Sequence, residues 1–97
     1  MSEAKDPEEF YNKLRAQLHD TDMWPTIYLY KFIVPTNQLK IEAIHDIFDN
    51  MGAVIKTKQS RNGTYTSVSV NVKMKNPDHV IAKYKEVGIK IEGVISL

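Results

Sequence analysis

The sequence predicts an α+β domain in which four strands and two helices follow one another as βαββαβ, preceded by an extra helix. Three observations support this: a strongly apolar strand at 26–34, an Asn62-Gly63 pair between two strand-like runs, and two segments with apolar residues at helical spacing. Two right-handed crossovers and one hairpin fold this order into a four-stranded antiparallel sheet with both helices on one face. We therefore expect the first and third strands at the centre of the sheet.

Residues 1–23 are predicted to form a polar N-terminus and an appended amphipathic helix. Asp6, followed by a proline, has the character of a helix N-cap. The helix is expected to end near His19 and to lie outside the central core, because its apolar stripe is narrow. That stripe consists of Phe10, Leu14 and Leu18.

Residues 24–97 are predicted to form the domain itself, and its first strand is apolar on both faces apart from Lys31. Such a strand is typical of a sheet centre, with one face covered by helices and the other by a partner. The Asn62-Gly63 pair favours a type I′ hairpin turn. The other predicted elements are a helix from a Thr36 or Asn37 cap to about Met51 with an exit at Gly52, strands 53–60 and 65–75, a helix from Asn76 to Gly88, and a strand 89–97 with a bulge at Gly93.

Composition excludes several classes of function. The chain of 97 residues has 13 basic and 12 acidic side chains, so its net charge of +1 favours neither nucleic acid nor a membrane surface. It has no cysteine, which excludes disulfides and thiolate zinc sites and makes a cytoplasmic location the natural expectation. The polar, acidic start of the sequence predicts no signal peptide, and no run is apolar enough to predict a membrane span.

Three short motifs carry a resemblance to a known family. They are Trp24-Pro25-Thr26 ahead of Tyr30-Lys31-Phe32, the hairpin Ser60-x-x-Gly63-x-Tyr65-x-Ser67-Val68-Ser69-Val70, and the closing Val94-Ile95-Ser96-Leu97. Over residues 24–97 the chain resembles the YbeD-like proteins. The resemblance implies a ferredoxin-like, ACT-like domain of unknown function, similar to regulatory domains that bind small molecules or pair as dimers. It brings no catalytic or ligand residues with it.

No group of residues in the sequence indicates catalysis or a cofactor. The three histidines fall on three separate predicted helices without a second ligand at metal-binding spacing, so no metal site is expected. Ser67 and Ser69 lack the adjacent base and oxyanion hole that a serine nucleophile needs. We therefore predict that the protein is not an enzyme and needs no cofactor.

The sheet face turned away from the helices is the candidate binding surface. Pairing across Asn62-Gly63 sets Lys58 opposite Ser67 and Lys56 opposite Ser69, which places both lysines on this face. The candidate interface residues are Ile27, Leu29, Lys31, Ile33, Lys56, Lys58, Tyr65, Ser67, Ser69, Asn71 and Lys73. A second candidate, for an anion or small effector, is the helix-capping loop Pro35, Thr36 and Asn37.

Three accounts of the open face remain. A regulatory or protein-interaction module would use its apolar residues, with a homodimer as the simplest arrangement, either face to face or edge to edge. A sheet-face RNA binder would use its four lysines, although only Tyr65 is available to stack a base, which disfavours nucleic acid. Solvated strand lysines are the third account. We predict the interaction module.

Overall fold

The computed structural model describes residues 7–21 and 23–97, so the Asp6 cap predicted for the first helix lies outside the described residues. Seven elements follow one another along the chain. They are α1 (Pro7–Thr21), β1 (Thr26–Pro35), α2 (Gln38–Ile47), β2 (Val54–Gln59), β3 (Tyr65–Met74), α3 (Pro77–Lys90) and β4 (Ile95–Ser96).

The four strands form one antiparallel sheet in the order β2-β3-β1-β4. As predicted, β1 and β3 are the central strands. The hairpin between β2 and β3 closes through the Ser60 amide, which donates to the Tyr65 carbonyl over 2.7 Å. Of its loop residues only Gly63 has a positive φ, 76°, so the predicted type I′ turn is wrong: Asn62 instead uses its side chain to accept from the Thr64 amide.

One face of the sheet carries the core, and all three helices contribute to it. Buried valines of β3 and the rings of β1 pack against apolar residues of α2 and α3. Tyr30 is fully buried, and its hydroxyl donates to the Val80 carbonyl over 3.0 Å. Desolvation raises the pKa of the Tyr30 and Tyr84 hydroxyls above their usual range, so both stay protonated. The aromatic residues of this core are Tyr28, Tyr30, Phe32, Phe48 and Tyr84.

Helix α1 belongs to the core more than its narrow stripe suggested. Leu18 is only 7% exposed and lies in the same buried cluster as the sheet residues, which corrects the expectation that α1 lies outside the core. The Trp24 indole N–H donates to the Leu18 carbonyl over 3.1 Å, and Lys85 of α3 forms an ion pair with Glu8 over 2.9 Å. The helix reaches Thr21, two residues beyond the predicted end at His19. It is therefore an integral part of the helix layer.

The predicted ends of α2 and α3 and the predicted extent of β4 are wrong. Gly88 lies inside α3, because one more turn carries Ile91 into the core, where it is 2% exposed and its amide donates to the Val87 carbonyl. Gly93 has a φ of 80° in the turn that follows instead of forming a bulge, so β4 is left with two residues rather than 89–97. Helix α2 stops at Ile47, not Met51, and Asn50 and Gly52 take positive φ values beyond it.

A small pH-dependent contribution to stability is expected from Glu86 on α3. The hydrogen bond from Lys90 lowers the pKa of Glu86, desolvation opposes this, and Lys83 adds to the lowering. The pKa is lower in the folded than in the unfolded chain, so this stabilisation is present at neutral pH and lost as the pH falls through the folded value. We expect Glu86→Gln to lower the free energy of unfolding by about 0.5 kcal/mol at pH 7. Urea unfolding at pH 7 and at pH 2 should show the difference disappearing in acid, and a pH-independent difference would contradict it.

Candidate interaction surface

The open face of the sheet, opposite the helices, brings together the residues that the sequence predicted for it. The register pairs Lys56 with Ser69 and Lys58 with Ser67, as the hairpin argument required. On the other side of β3, the same two serines are opposite Lys31 and Ile33. Alternation along antiparallel strands turns all of these side chains to the same side. The predicted interface residues therefore share one face across three strands.

An apolar stripe runs along β1 and onto β4 on this open face. Ile27 is 68% exposed and Leu29 52% exposed, whereas Ile33 is half-buried. Ile95 pairs with Ile33 and is itself 52% exposed. We call Ile27, Leu29, Ile33 and Ile95 the apolar stripe. Large exposed aliphatic side chains grouped in this way on a small domain mark an interaction site more often than scattered ones do.

Sequence reasoning missed two apolar residues of the open face. Ile95 was expected in a long final strand, and its position beside Ile33 depends on where the chain turns after α3. Val54 is paired with Asn71 at the start of β2 and is exposed. The hairpin register already contained this pairing, so the signal for Val54 was available.

The charged side chains of the open face are basic. Its charged residues are Lys31, Lys56, Lys58 and Lys73, and none of the described residues that face this side is Asp or Glu. The two lysines of β2 lie on the outer strand, while the apolar stripe lies on β1 and β4. Three of the four lysines therefore lie on β2 and β3, whereas Lys31 lies on β1 between Leu29 and Ile33.

A shallow depression of about 230 Å³ lies at the hairpin end of this face. It is bordered by Ile33, Lys58, Tyr65 and Ser67, all predicted interface residues. The Ser67 hydroxyl donates to the Lys58 carbonyl over 3.3 Å. That hydroxyl is engaged with backbone rather than with a base, as expected for a polar strand-face serine.

The predicted anion loop lies between β1 and α2. Pro35 is the last residue of β1, and the Thr36 hydroxyl is hydrogen-bonded to the Thr66 hydroxyl at 2.9 Å. Asn37 is the N-cap of α2, and its side chain accepts from the amides of Leu39 and Lys40. The cap side chain thus already engages amides that an anion would approach.

The histidines of the protein lie on separate helices. His19, His45 and His79 are exposed on α1, α2 and α3. No cluster of three or more His, Asp or Glu that could hold a metal ion occurs among residues 7–21 and 23–97. Within the same residues no helix has the length and apolar character needed to cross a membrane.

Comparison with known proteins identifies the family. The family described as a protein of unknown function, DUF493, matches residues 22–95. The chain belongs to DUF493. The matched range contains the whole sheet of this DUF493 protein up to the first residue of β4, and it begins after α1. The resemblance to the YbeD-like proteins is thereby confirmed, because these are the DUF493 family. Neither a curated protein nor a solved structure gives a match.

Proposed function

We propose that this DUF493 protein is a non-enzymatic interaction module with a ferredoxin-like, ACT-like fold that pairs with a second copy through its open sheet face. The strand order β2-β3-β1-β4, together with helices packed on one face only, supports this description of the fold. A regulatory role of the ACT type remains part of the proposal, because such domains act through subunit pairing.

The observation that carries this proposal is the apolar stripe. Its side chains lie on a face that no helix of the described residues covers, whereas on the opposite face of β1 Tyr30, Phe32 and Val34 are fully buried. Removing a fully exposed Leu or Ile side chain from water contributes about 1.5–3 kcal/mol. Two copies stacked on this stripe gain that contribution from both subunits.

Charge favours one orientation of such a pair. With a twofold axis parallel to β1, the stripe of one copy covers the stripe of the other, and the two β2 strands lie at opposite ends of the interface. Lys56 and Lys58 of the two subunits are then far apart and remain solvated, and Lys31, which lies on β1 itself, is the one lysine that approaches its counterpart. An axis perpendicular to the strands would stack lysine on lysine, which is unfavourable. We therefore propose the parallel axis.

Sedimentation velocity of Leu29→Lys against Leu39→Lys tests the proposal. The two variants make the same exchange at an exposed leucine, one on the stripe and one on α2. We expect L29K to weaken the dimer at least about tenfold, because each subunit loses apolar burial and gains a charge facing another cation. L39K should sediment like the unaltered protein. A protein that remains monomeric at high micromolar concentration would contradict the proposal.

RNA binding is the alternative that the same lysines support. Its weakness is that the central strand offers Ile27, Leu29 and Ile33 where base-stacking rings are needed, and Tyr65 lies on the next strand. A mobility shift with bulk RNA at low salt that is lost in a Lys56→Glu/Lys58→Glu variant would favour RNA binding over the interaction module. Thermal-shift screening with amino acids and nucleotides tests for an effector at Pro35, Thr36 and Asn37, because a bound effector would raise the melting temperature.

A further inference from the structure

The free edge of β2 has main-chain groups that the sheet leaves unpaired. The Ser60 amide donates to the Tyr65 carbonyl, so the even-numbered residues of β2 exchange hydrogen bonds with β3. The N–H and C=O groups of Ile55, Thr57 and Gln59 therefore point away from β3 and have no partner in the part of the chain that the structure describes. Strand β2 is the outermost strand of the sheet on the side away from β4. Its free edge can accept one more strand.

Two lysines point to the open face from this outermost strand. Lys56 and Lys58 are exposed and are paired with Ser69 and Ser67 of β3. Neither lysine forms an ion pair with a carboxylate of the described residues. Because both belong to β2 itself, a strand added to its edge has side chains directly opposite them. The open-face side of the edge is therefore cationic.

The helix side of the same edge has acidic neighbours. Ile55 points to this side, because it is paired with the fully buried Val70. A depression of about 300 Å³ is bordered by Ile55 and by Asp46 and Asp49 near the end of α2. A carboxylate added here would meet like charge, whereas a small uncharged side chain would not. The two sides of the edge thus favour different side chains.

We propose that this edge binds an extended segment of a partner protein as an additional antiparallel strand, and that Asp or Glu alternates with uncharged residues in the segment. Hydrogen bonds between its backbone and the outward groups of β2 supply affinity, as in other cases of strand addition. Successive side chains of a strand point to opposite faces, so carboxylates opposite Lys56 and Lys58 leave uncharged residues opposite Ile55 and Thr57. The carboxylates then lie in the non-hydrogen-bonded pairs of the new ladder, where opposite side chains are closest.

The same two lysines argue against a second copy of this chain as the occupant. In a twofold antiparallel pair of β2 strands centred on Thr57, Lys56 of each copy lies opposite Lys58 of the other. Like charges directly opposite one another destabilise a strand pair. Lysines on an edge strand commonly prevent edge-to-edge association in this way. They leave the edge selective for an acidic segment.

Fluorescence anisotropy with a synthetic decapeptide that alternates glutamate and threonine tests this inference on the full chain. We expect the peptide to bind, and a peptide of the same composition with its glutamates grouped at one end to bind at least about tenfold more weakly. Methylation of the threonine amides should abolish binding, because these N–H groups face β2, whereas methylation of the glutamate amides should not. Absence of binding at high micromolar protein concentration, or an equal loss for the two methylated peptides, would overturn the inference.

Lys58→Glu and Lys73→Glu form a matched pair of protein variants. Both reverse an exposed lysine of the open face, but Lys73 lies on β3 beyond the start of β2 and is paired with Ile27. We expect K58E to weaken the alternating peptide at least about tenfold, because a cross-strand attraction becomes a repulsion. K73E should bind nearly as tightly as the unaltered protein. Equal effects of the two variants would mean nonspecific attraction of an anionic peptide and would contradict strand addition.

The strand-addition site and the proposed dimer can be tested separately, because the inference does not rest on the proposed function. Leu29 lies on the apolar stripe, so L29K is expected to lose the dimer and to keep the peptide. Thr57→Pro removes an outward N–H of β2 and should lose the peptide while its sedimentation stays unchanged. A T57P variant that dissociates a dimer would show β2 paired with a second copy and would overturn the inference. A monomeric unaltered protein that binds the alternating peptide would support the edge site and contradict the dimer alone.

Discussion

Phe32→Ala is expected to lower the free energy of unfolding by about 4 kcal/mol. The Phe32 side chain is fully buried on the helix face of β1, with its ring 5.6 Å from the ring of Tyr30 and 6.1 Å from that of Tyr84 between centroids. Truncation removes the burial of a whole ring and leaves a cavity between sheet and helices. Small domains have about 5–15 kcal/mol of stability, so the variant should be close to unfolding at 37 °C.

The adjacent residue provides the control for this prediction. Ile33 lies on the open face and is only half-buried, so Ile33→Ala should cost about 1 kcal/mol. Urea unfolding followed by circular dichroism, with equal slopes for the two variants, gives both values. Similar losses for F32A and I33A would mean that the two faces of β1 are equally covered, which would contradict the open face itself.

The two-faced character of β1 could be predicted because every residue of the strand contributes to the signal. Aromatic residues at 28, 30 and 32 alternate with aliphatic ones, and a period of two follows from strand geometry alone. The register of the hairpin followed from its loop length, which is why Lys56 and Lys58 were placed correctly even though the turn type was not. Local sequence patterns were therefore sufficient to predict which side chains face the core in strands that have one buried face.

The end of the chain could not be predicted in this way, because two structures share one sequence pattern there. Residues 89–97 are apolar enough for a strand, and Gly88 resembles a helix end. The chain continues as a helix because that conformation buries Ile91, one turn beyond Val87, in the core. Whether Ile91 can be buried depends on where the sheet lies beneath α3, which the local sequence does not show. The shortness of β4 follows from this continuation of the helix.

A groove of about 230 Å³ between Phe10, Leu14, Tyr28 and Tyr84 was missed for a related reason. It is formed by residues from α1, β1, α3 and β4 that are far apart in sequence. The stripe on α1 indicated that the helix packs against something, but not that Leu18 enters the core while Phe10 stays open. Leu18 lies near the end of α1, where the Trp24 indole donates to its carbonyl, whereas Phe10 lies in the first turn of the helix.

Leu18→Ala is the second variant with a large expected effect, a loss of about 3 kcal/mol in the free energy of unfolding. Leu18 is in the core cluster, so its truncation leaves a cavity where α1 meets the domain. If α1 were only an appendage, the helix would detach locally and the domain would unfold at its usual urea concentration. We expect instead a single shifted transition, because the helix and the sheet share one core.

Leu39→Ala is the matched control, since it makes the same truncation at an exposed leucine on α2 and should change stability by less than about 0.5 kcal/mol. Following unfolding by both Trp24 fluorescence and far-ultraviolet circular dichroism separates the two outcomes. Trp24 reports on the α1 contact, because its indole is bonded to the Leu18 carbonyl. Coincident transitions in L18A establish that α1 unfolds with the domain, whereas an early fluorescence change with an unshifted second transition would show that α1 is separable.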